Sequence, residues 1–330
     1  MTDKSKTVSR RTLLGGMVGA GLAMPVILNS ALAESSLKGM RVGYSTSLAA
    51  NEWMVAQRRG VIETSAKHGF ELSVVDANDR PSKQVQDIED LVVRRMDAII
   101  INTYYADAIT PAVKQINEAG IPLVVLSSSL ASSVEWTAHL ATDNLGTSTR
   151  AGHIYAEKLN GKGKVILIEG KTGSFVNEER TRGWRSVIDK NPEIEIVGHA
   201  VANYERGLAL RKMEEFLNSQ RDIDAVYCNN DEMALGVLQA VREAGRERDI
   251  WITGYDGVQP DIMHAIAKGE IFGTFHNSPM GVEGVEVVAK ILRDEPVDKR
   301  IVFQSPFINA ENLAEFWDPE SGMKMRPSQI

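Results

Sequence analysis

An apolar run from Ala225 to Cys228 stops at Asn229-Asn230-Asp231, and apolar residues return at Ala234, Val237, Leu238 and Val241, the spacing of one helix face. Strand, tight loop and helix in that order form the repeating unit of an α/β sheet, and one such unit commits its neighbours to parallel strands with covering helices. In such a sheet the loop leaving a strand's carboxyl end lies at the ligand-binding edge, which places Asn230 and Asp231 where a small molecule is read. Asp231 and Glu232 equally suit a first helical turn, where carboxylates meet the positive end of the helix dipole. Asn230, one residue earlier, is the better candidate to face a ligand.

The same alternation runs through most of the chain. Strands are predicted at Met40 to Tyr44, Glu71 to Val75, Ala98 to Ile101 and Pro122 to Leu126, with helices over Trp53 to His68, from Pro81, and over Ala108 to Ala119 between them. A short strand from Trp136 to Ala141 follows, and at Thr142-Asp143 the order begins again. Helix Leu145 to Leu159, strand Lys164 to Ile168, a helix through Arg180 and Trp184, strand Ile194 to Ala200, helix Glu205 to Leu217, the Val226 unit and strand Ile250 to Tyr255 complete it. The order of elements repeats without a repeat of sequence. Gly273 to Pro279 is strand-like, a helix from Met280 to Leu292 is expected to return to the first half, and the polar tail from Glu311 to Ile330 to lie over the surface.

The expected fold is therefore α/β: two Rossmann-like lobes with mostly parallel sheets, joined by a three-strand hinge, with a ligand in the cleft between them. Residues 39–142 and 278–304 form the first lobe, and 143–277 with 305–330 the second lobe and tail. The crossings place Thr142, Asp143, Ser278 and Gln304 at the hinge.

The first 33 residues stand apart. Twin arginines, Arg10 and Arg11, precede a weakly apolar, glycine-rich run, and Ala31-Leu32-Ala33 has the small-x-small form of a cleavage site. This reads as a twin-arginine secretion signal, hence export to the periplasm. The other reading, an uncleaved anchor, conflicts with Gly15, Gly16, Gly19, Gly21 and Pro25 breaking the run. The whole chain carries 37 basic and 44 acidic residues, a net charge of −7, and loss of the basic leader makes the exported part more acidic still. That balance argues against a nucleic-acid surface.

No catalytic constellation emerges. The six histidines, at 68, 139, 153, 199, 264 and 276, are scattered without metal-ligand spacing, so no metal site is expected. Gly43-Tyr44-Ser45-Thr46-Ser47 lacks the Gly-x-Gly-x-x-Gly turn of a dinucleotide site, and Gly161-Lys162-Gly163-Lys164 precedes its strand, so neither cradles a phosphate and no cofactor is expected. Cys228, the single cysteine, falls within a strand as an inert thiol.

What gathers at strand ends is hydrogen-bonding groups and aromatics: Asn51 and Trp53, Ser127 and Ser128, Arg180, Tyr204, Asn230, Asp256 and Asn277. Vicinal hydroxyls both donate and accept, which suits amides, carboxylates and guanidinium, while the C–H faces of a sugar or polyol suit an aromatic ring. Each residue also has a plainer reading: Arg180 paired on a helix surface, Trp53 and Met54 packed under a helix, Asp256 in a turn before Gly257, the serines bonded to backbone.

From Met40 to about Phe307 the chain resembles the periplasmic sugar-binding proteins of ABC importers, ribose-binding proteins in particular, and the bacterial repressor effector domains of the same fold. The resemblance rests on Asn51-Glu52-Trp53-Met54, His139 to Asn144, Arg180-Thr181-Arg182-Gly183-Trp184, Asn229 to Gly236, Thr253-Gly254-Tyr255-Asp256-Gly257 and Asn277-Ser278-Pro279. By position it implies that Asn51 hydrogen-bonds a sugar, Trp53 and Met54 replace an aromatic pair, Arg180 grips hydroxyls, Tyr204 closes over the ring, and Asn230, Asp256 and Asn277 are polar contacts. Ser127-Ser128 stand where ribose binders carry Asp-Arg, so a bidentate clamp is missing.

The resemblance implies a monomeric, non-enzymatic solute-binding protein that delivers a neutral sugar or polyol, pentose-like in size, to permease subunits in the inner membrane. A periplasmic sensor presenting the ligand to a chemoreceptor or histidine kinase is the alternative. Arg180→Ala or Asp256→Ala is expected to abolish binding with the fold intact.

Overall fold

The computed structural model describes residues 37–219 and 222–324. The twin-arginine segment lies outside the described residues.

Within them the chain builds β1 (Arg41–Thr46), α1 (Glu52–His68), β2 (Glu71–Asp76), α2 (Pro81–Val93), β3 (Ala98–Asn102), α3 (Thr110–Glu118), β4 (Leu123–Leu126) and β5 (Ala138–Thr142). Then follow α4 (Asn144–Lys158), β6 (Gly163–Glu169), α5 (Phe175–Ile188), β7 (Ile194–Val201), α6 (Arg206–Ser219), β8 (Ala225–Cys228), α7 (Asp231–Glu243), β9 (Trp251–Asp256), α8 (Pro260–Ala267) and β10 (Gly273–His276). The last parts are α9 (Gly281–Leu292), β11 (Arg300–Phe303), β12 (Phe307–Asn309), the short α10 (Leu313–Phe316), and a small hairpin of β13 (Trp317–Asp318) and β14 (Gly322–Met323).

Two six-stranded sheets result. The first has the order β11-β5-β4-β3-β1-β2 and is parallel throughout; the second has the order β12-β10-β9-β8-β6-β7 and is parallel except for β12, which runs against β10. Strands buried on both faces read as unbroken apolar runs, as Ala98 to Ile101 and Leu123 to Leu126 do, because helices cover both sides of each sheet. The first sheet is sandwiched between one cluster around Val61, Ile100, Val124 and Val288 and another around Ile88, Ile99, Ile116 and Val125. The second lies between a cluster around Ile168, Val226, Val237 and Ile266 and an aromatic one, in which Trp184 and Tyr227 stack with centroids 5.0 Å apart.

The topological switch points fall between β3 and β1 in one sheet and between β8 and β6 in the other. The crevice outside a parallel sheet opens there, so the loops after β1, β3, β6 and β8 are the ones positioned to read a ligand. The chain passes between the sheets three times, at 142–144, 276–281 and 303–307. After the second passage α9 packs against α1 on the first sheet. A Cβ on Gly281 would lie 2.1 Å from the Gln57 carbonyl oxygen, so only glycine lets these two helices touch backbone to backbone.

The tail departs from its expected place over the surface. Leu313 and Trp317 are buried against the second-lobe core, with the Trp317 ring edge-on to His264 at 4.7 Å. Two apolar side chains in a polar segment suffice to dock it, since burying each contributes about 1.5–3 kcal/mol.

Candidate functional site

One cavity between the two sheets is lined by all ten residues singled out from the sequence: Asn51, Trp53, Met54, Ser127, Ser128, Arg180, Tyr204, Asn230, Asp256 and Asn277. Asn102 and Val176 also line it outside those ten, as does Tyr104, a loop residue at the same edge.

Each lobe contributes an asparagine of the same kind. Asn51, after β1, caps α1 by accepting from Met54 N at 2.9 Å, and Asn230, after β8, caps α7 by accepting from Met233 N at 3.0 Å. An N-cap asparagine spends its oxygen on the helix and keeps its amide nitrogen as a donor. Capping α7 and lining the cavity are therefore compatible roles for Asn230. Asp231, by contrast, lies fully buried behind the cavity, accepting from Thr274 Oγ1 at 2.7 Å and Gly257 N at 2.6 Å.

On the first-lobe side Trp53 Nε1 donates to the Asn277 backbone carbonyl at 2.8 Å, which fixes the indole against the chain crossing. Beneath it Asn102 Nδ2 reaches Met54 Sδ at 3.6 Å and Gln57 Oε1 at 2.6 Å, and Gln57 in turn holds Pro279 O at 2.7 Å. Ser127 and Ser128 follow β4, Ser127 with a left-handed φ of 64°. Their amides bond the Leu140 and Leu126 carbonyls, both at 2.7 Å, which shapes the turn and directs the residues to the cavity.

The second-lobe wall centres on Arg180, carried by α5 and only 2% exposed. Its Nε donates to Asn144 Oδ1 at 3.0 Å, Nη1 to the Asn229 carbonyl at 2.5 Å, and both Nη atoms reach Asp256 Oδ1 at 3.3 and 3.4 Å. The guanidinium lies 3.6 Å from the Tyr255 ring centroid. This excludes the plainer reading of Arg180 as a solvated surface residue. The side chain joins the start of α4, the Asn229 carbonyl and the end of β9 inside the protein.

Asp256 ends β9 with φ at 128°, a strained backbone of the kind held at binding sites by its surroundings. Burial raises its carboxyl to about 6, opposed by the Arg180 charge and the Asn277 side chain. With the Asn277 amide oxygen turned to the donors it faces, it accepts from Trp53 Nε1 at 3.2 Å and Arg180 Nη2 at 3.1 Å, while its nitrogen donates to Thr142 Oγ1 at 2.7 Å. One side chain thus meets both walls and the 142–144 crossing.

Two tyrosines roof the cavity. Tyr204, also at a left-handed φ of 64°, seats its ring where a Cβ on Gly170 would be 2.1 Å away, and Tyr104 from the opposite lobe stacks on it with centroids 5.8 Å apart. Beside them Lys171 Nζ bonds Asp79 Oδ2 at 2.6 Å, and Tyr105 donates its hydroxyl to the same carboxylate. Among the described residues no group of side chains is arranged to hold a metal ion, and no helix is long and apolar enough to cross a membrane.

Arg180 and Asp256 are the only ionised side chains in the lining and they face each other, so the cavity presents amides, hydroxyls and aromatic faces with little net charge. Such a lining binds by hydrogen bonding and stacking, and it contains no nucleophile poised against a base.

Comparison with known proteins agrees with this geometry. The ribose import binding protein RbsB of Escherichia coli (strain K12) is 31% identical over 291 residues, covering 86% of this chain and 97% of that protein. An ABC transporter solute binding protein from Bacillus halodurans C-125 with bound myo-inositol superposes with a TM-score of 0.80 at 26% identity, over 85% of this chain and 98% of the other. The fructose binding periplasmic domain of a hybrid two component system gives a TM-score of 0.78 at 27% identity, over 84% of this chain and 92% of that one. These relatives are solute-binding proteins, not enzymes. Residues 42–296 match the periplasmic binding protein domain. With two parallel-sheet lobes, three crossings and a polar, aromatic-roofed cleft, the chain belongs to the periplasmic binding protein family.

Proposed function

We propose that this protein is the solute-binding component of an ABC importer, exported through the twin-arginine pathway to the periplasm, where it encloses a neutral sugar or polyol of pentose-like size and presents it to permease subunits in the inner membrane. The observation that carries this reading is the cavity lining, whose single cation and single anion are paired while its remaining polar groups are amides and hydroxyls beside aromatic rings. A charged guest would leave one of those buried ions uncompensated; a hydroxylated one exchanges neutral hydrogen bonds for the two long Arg180–Asp256 contacts.

Residues 39–142 with 278–304 then form one rigid lobe and 143–277 with 305–330 the other, turning about Thr142, Asp143, Ser278 and Gln304. A ligand touching both lobes favours the closed arrangement because only that arrangement offers it all of its contacts. The protein works as a monomer, since each chain carries a whole site.

A sensor role is the second reading, favoured by the likeness to a periplasmic domain of a two component system. It uses the same cleft and differs only in the partner, a chemoreceptor or histidine kinase.

Thermal-shift screening against pentoses, hexoses, tetritols and pentitols tests the ligand class, since a guest that binds only the folded form raises the melting temperature by mass action. At least one neutral polyhydroxylated compound is expected to do so. A response confined to charged solutes contradicts the reading. Gene deletion separates the roles: loss of uptake marks the importer, loss of induction with uptake intact the sensor.

A further inference from the structure

With its walls where they stand, the cavity volume is about 30 Å³, room for about two water molecules. With the lobes in this arrangement a sugar or polyol is accommodated only if a lining side chain yields. Trp53 is tied to Asn277, Met54 lies under Asn102, and Arg180 is held at several points. Tyr204 is wedged against Gly170 and its hydroxyl lies 3.4 Å from Ser174 Oγ. Tyr104 is different. Its backbone is anchored, N donating to Ser47 Oγ at 2.8 Å, but its ring is only half-buried and its side chain makes no close hydrogen bond among the described residues. Held chiefly by its backbone and by ring contacts, Tyr104 is the lining side chain a guest can displace.

The Tyr104 ring nevertheless has little room to move. Tyr204 faces it at 5.8 Å, Tyr105 stands edge-on at 6.3 Å, and Lys171, bonded to Asp79, lies 6.0 Å from both first-lobe rings. A guest tall enough to push Tyr104 past these neighbours also prises Lys171 from Asp79 and holds the lobes apart.

We propose that Tyr104 sets the upper size of the guest: with Tyr204 from the facing lobe it forms a roof that admits four- and five-carbon polyols or pentoses and excludes hexopyranoses and inositols. This rests on the sugar-or-polyol reading above. The ring, and not its hydroxyl, does the excluding.

Calorimetric titration of the wild type, Tyr104→Phe and Tyr104→Ala with erythritol, xylitol, D-ribose, D-glucose, D-allose and myo-inositol tests it, with melting temperatures taken first to verify folding. The wild type is expected to favour its best four- or five-carbon guest over every six-carbon one by about tenfold or more, the range that steric fit alone supplies. Tyr104→Phe keeps that preference. Tyr104→Ala loses it, because six-carbon guests gain affinity while the smaller ones weaken. A wild type that prefers a six-carbon guest overturns the size limit and leaves the sugar reading standing, as does Tyr104→Ala weakening every guest by one common factor or changing none. Failure of all six to bind the wild type overturns both.

Discussion

Lys171 Nζ lies 2.6 Å from Asp79 Oδ2 across the mouth of the cleft, joining the loop after β6 to the loop after β2. Lys171 is the more buried partner, and Tyr105 bonds the same carboxylate from the first lobe. A partly exposed pair of this kind is worth about 0.2–1 kcal/mol, enough to bias closure without locking it. Lys171→Met is therefore expected to weaken ligand affinity about two- to fivefold. The change should lie mostly in the dissociation rate, and the gap between variant and wild type should shrink as salt is raised. Stopped-flow release of ligand at two ionic strengths checks this.

Arg180 is expected to matter to the fold as well as the ligand. Removing it leaves Asp256 buried without its counter-charge and frees the Asn229 carbonyl and Asn144. Breaking one partner of a buried pair costs about 3–5 kcal/mol. Chemical denaturation of Arg180→Ala should show a loss of that order even without ligand; unchanged stability would mean the guanidinium carries no structural role.

Asp231 gives the stability curve a sign. Burial, then the neighbouring Asp256 charge, raises its carboxyl from 3.8 to about 8. A carboxyl that holds its proton more tightly in the folded state stabilises most below its unfolded value, and that contribution is lost as pH rises through the folded value. Asp256 shifts in the same direction. Unfolding free energy should thus fall between pH 4 and 8, by up to about 1.4 kcal/mol per pH unit for each proton involved. Asp231→Asn should flatten the decline, since an amide does not titrate and its oxygen can still accept from Gly257 N. Denaturation at several pH values measures it.

The parts of this site legible in the sequence share one signature, an apolar run that ends abruptly in a polar residue. That signature placed Asn230 at the head of α7. The same logic applies to Asn102, the polar residue that ends β3 directly after the apolar run Ala98 to Ile101. Tyr104 sits two residues further on, on a loop at the same edge as Tyr105 and Phe175, and its meeting with Tyr204 is what makes it part of the roof. β11 and β12 carry little signal for a different reason: they are edge strands, and unlike the equally short β8 neither opens into a long amphipathic helix that would mark its end. The amphipathic helix α8 went unassigned although Pro260 marks its start. Conversely the positive φ of Asp256 has no local sequence signal; beside it the Gly257 amide donates to the side chain of Asp231, far away in the chain.

Gly170 is expected to tolerate no side chain. A Cβ there would overlap Tyr204 Cε1, and overpacking of that kind costs about 1–3 kcal/mol or moves the ring. Because Tyr204 roofs the cavity, Gly170→Ala should lower ligand affinity by about tenfold, the equivalent of about 1.4 kcal/mol. Calorimetry against the wild type checks it.

The account turns on one cleft residue above the others. Asp256 is the lone anion of the lining, and asparagine tolerates its positive φ better than most residues. Titrating wild type and Asp256→Asn with the best neutral guest from thermal screening is the most direct measurement. The account predicts one guest per chain for the wild type and at least a hundredfold weaker binding for a variant that still folds, the cost of about 2.7 kcal/mol for a hydrogen bond to a charged acceptor. Equal affinity in the two proteins would contradict it.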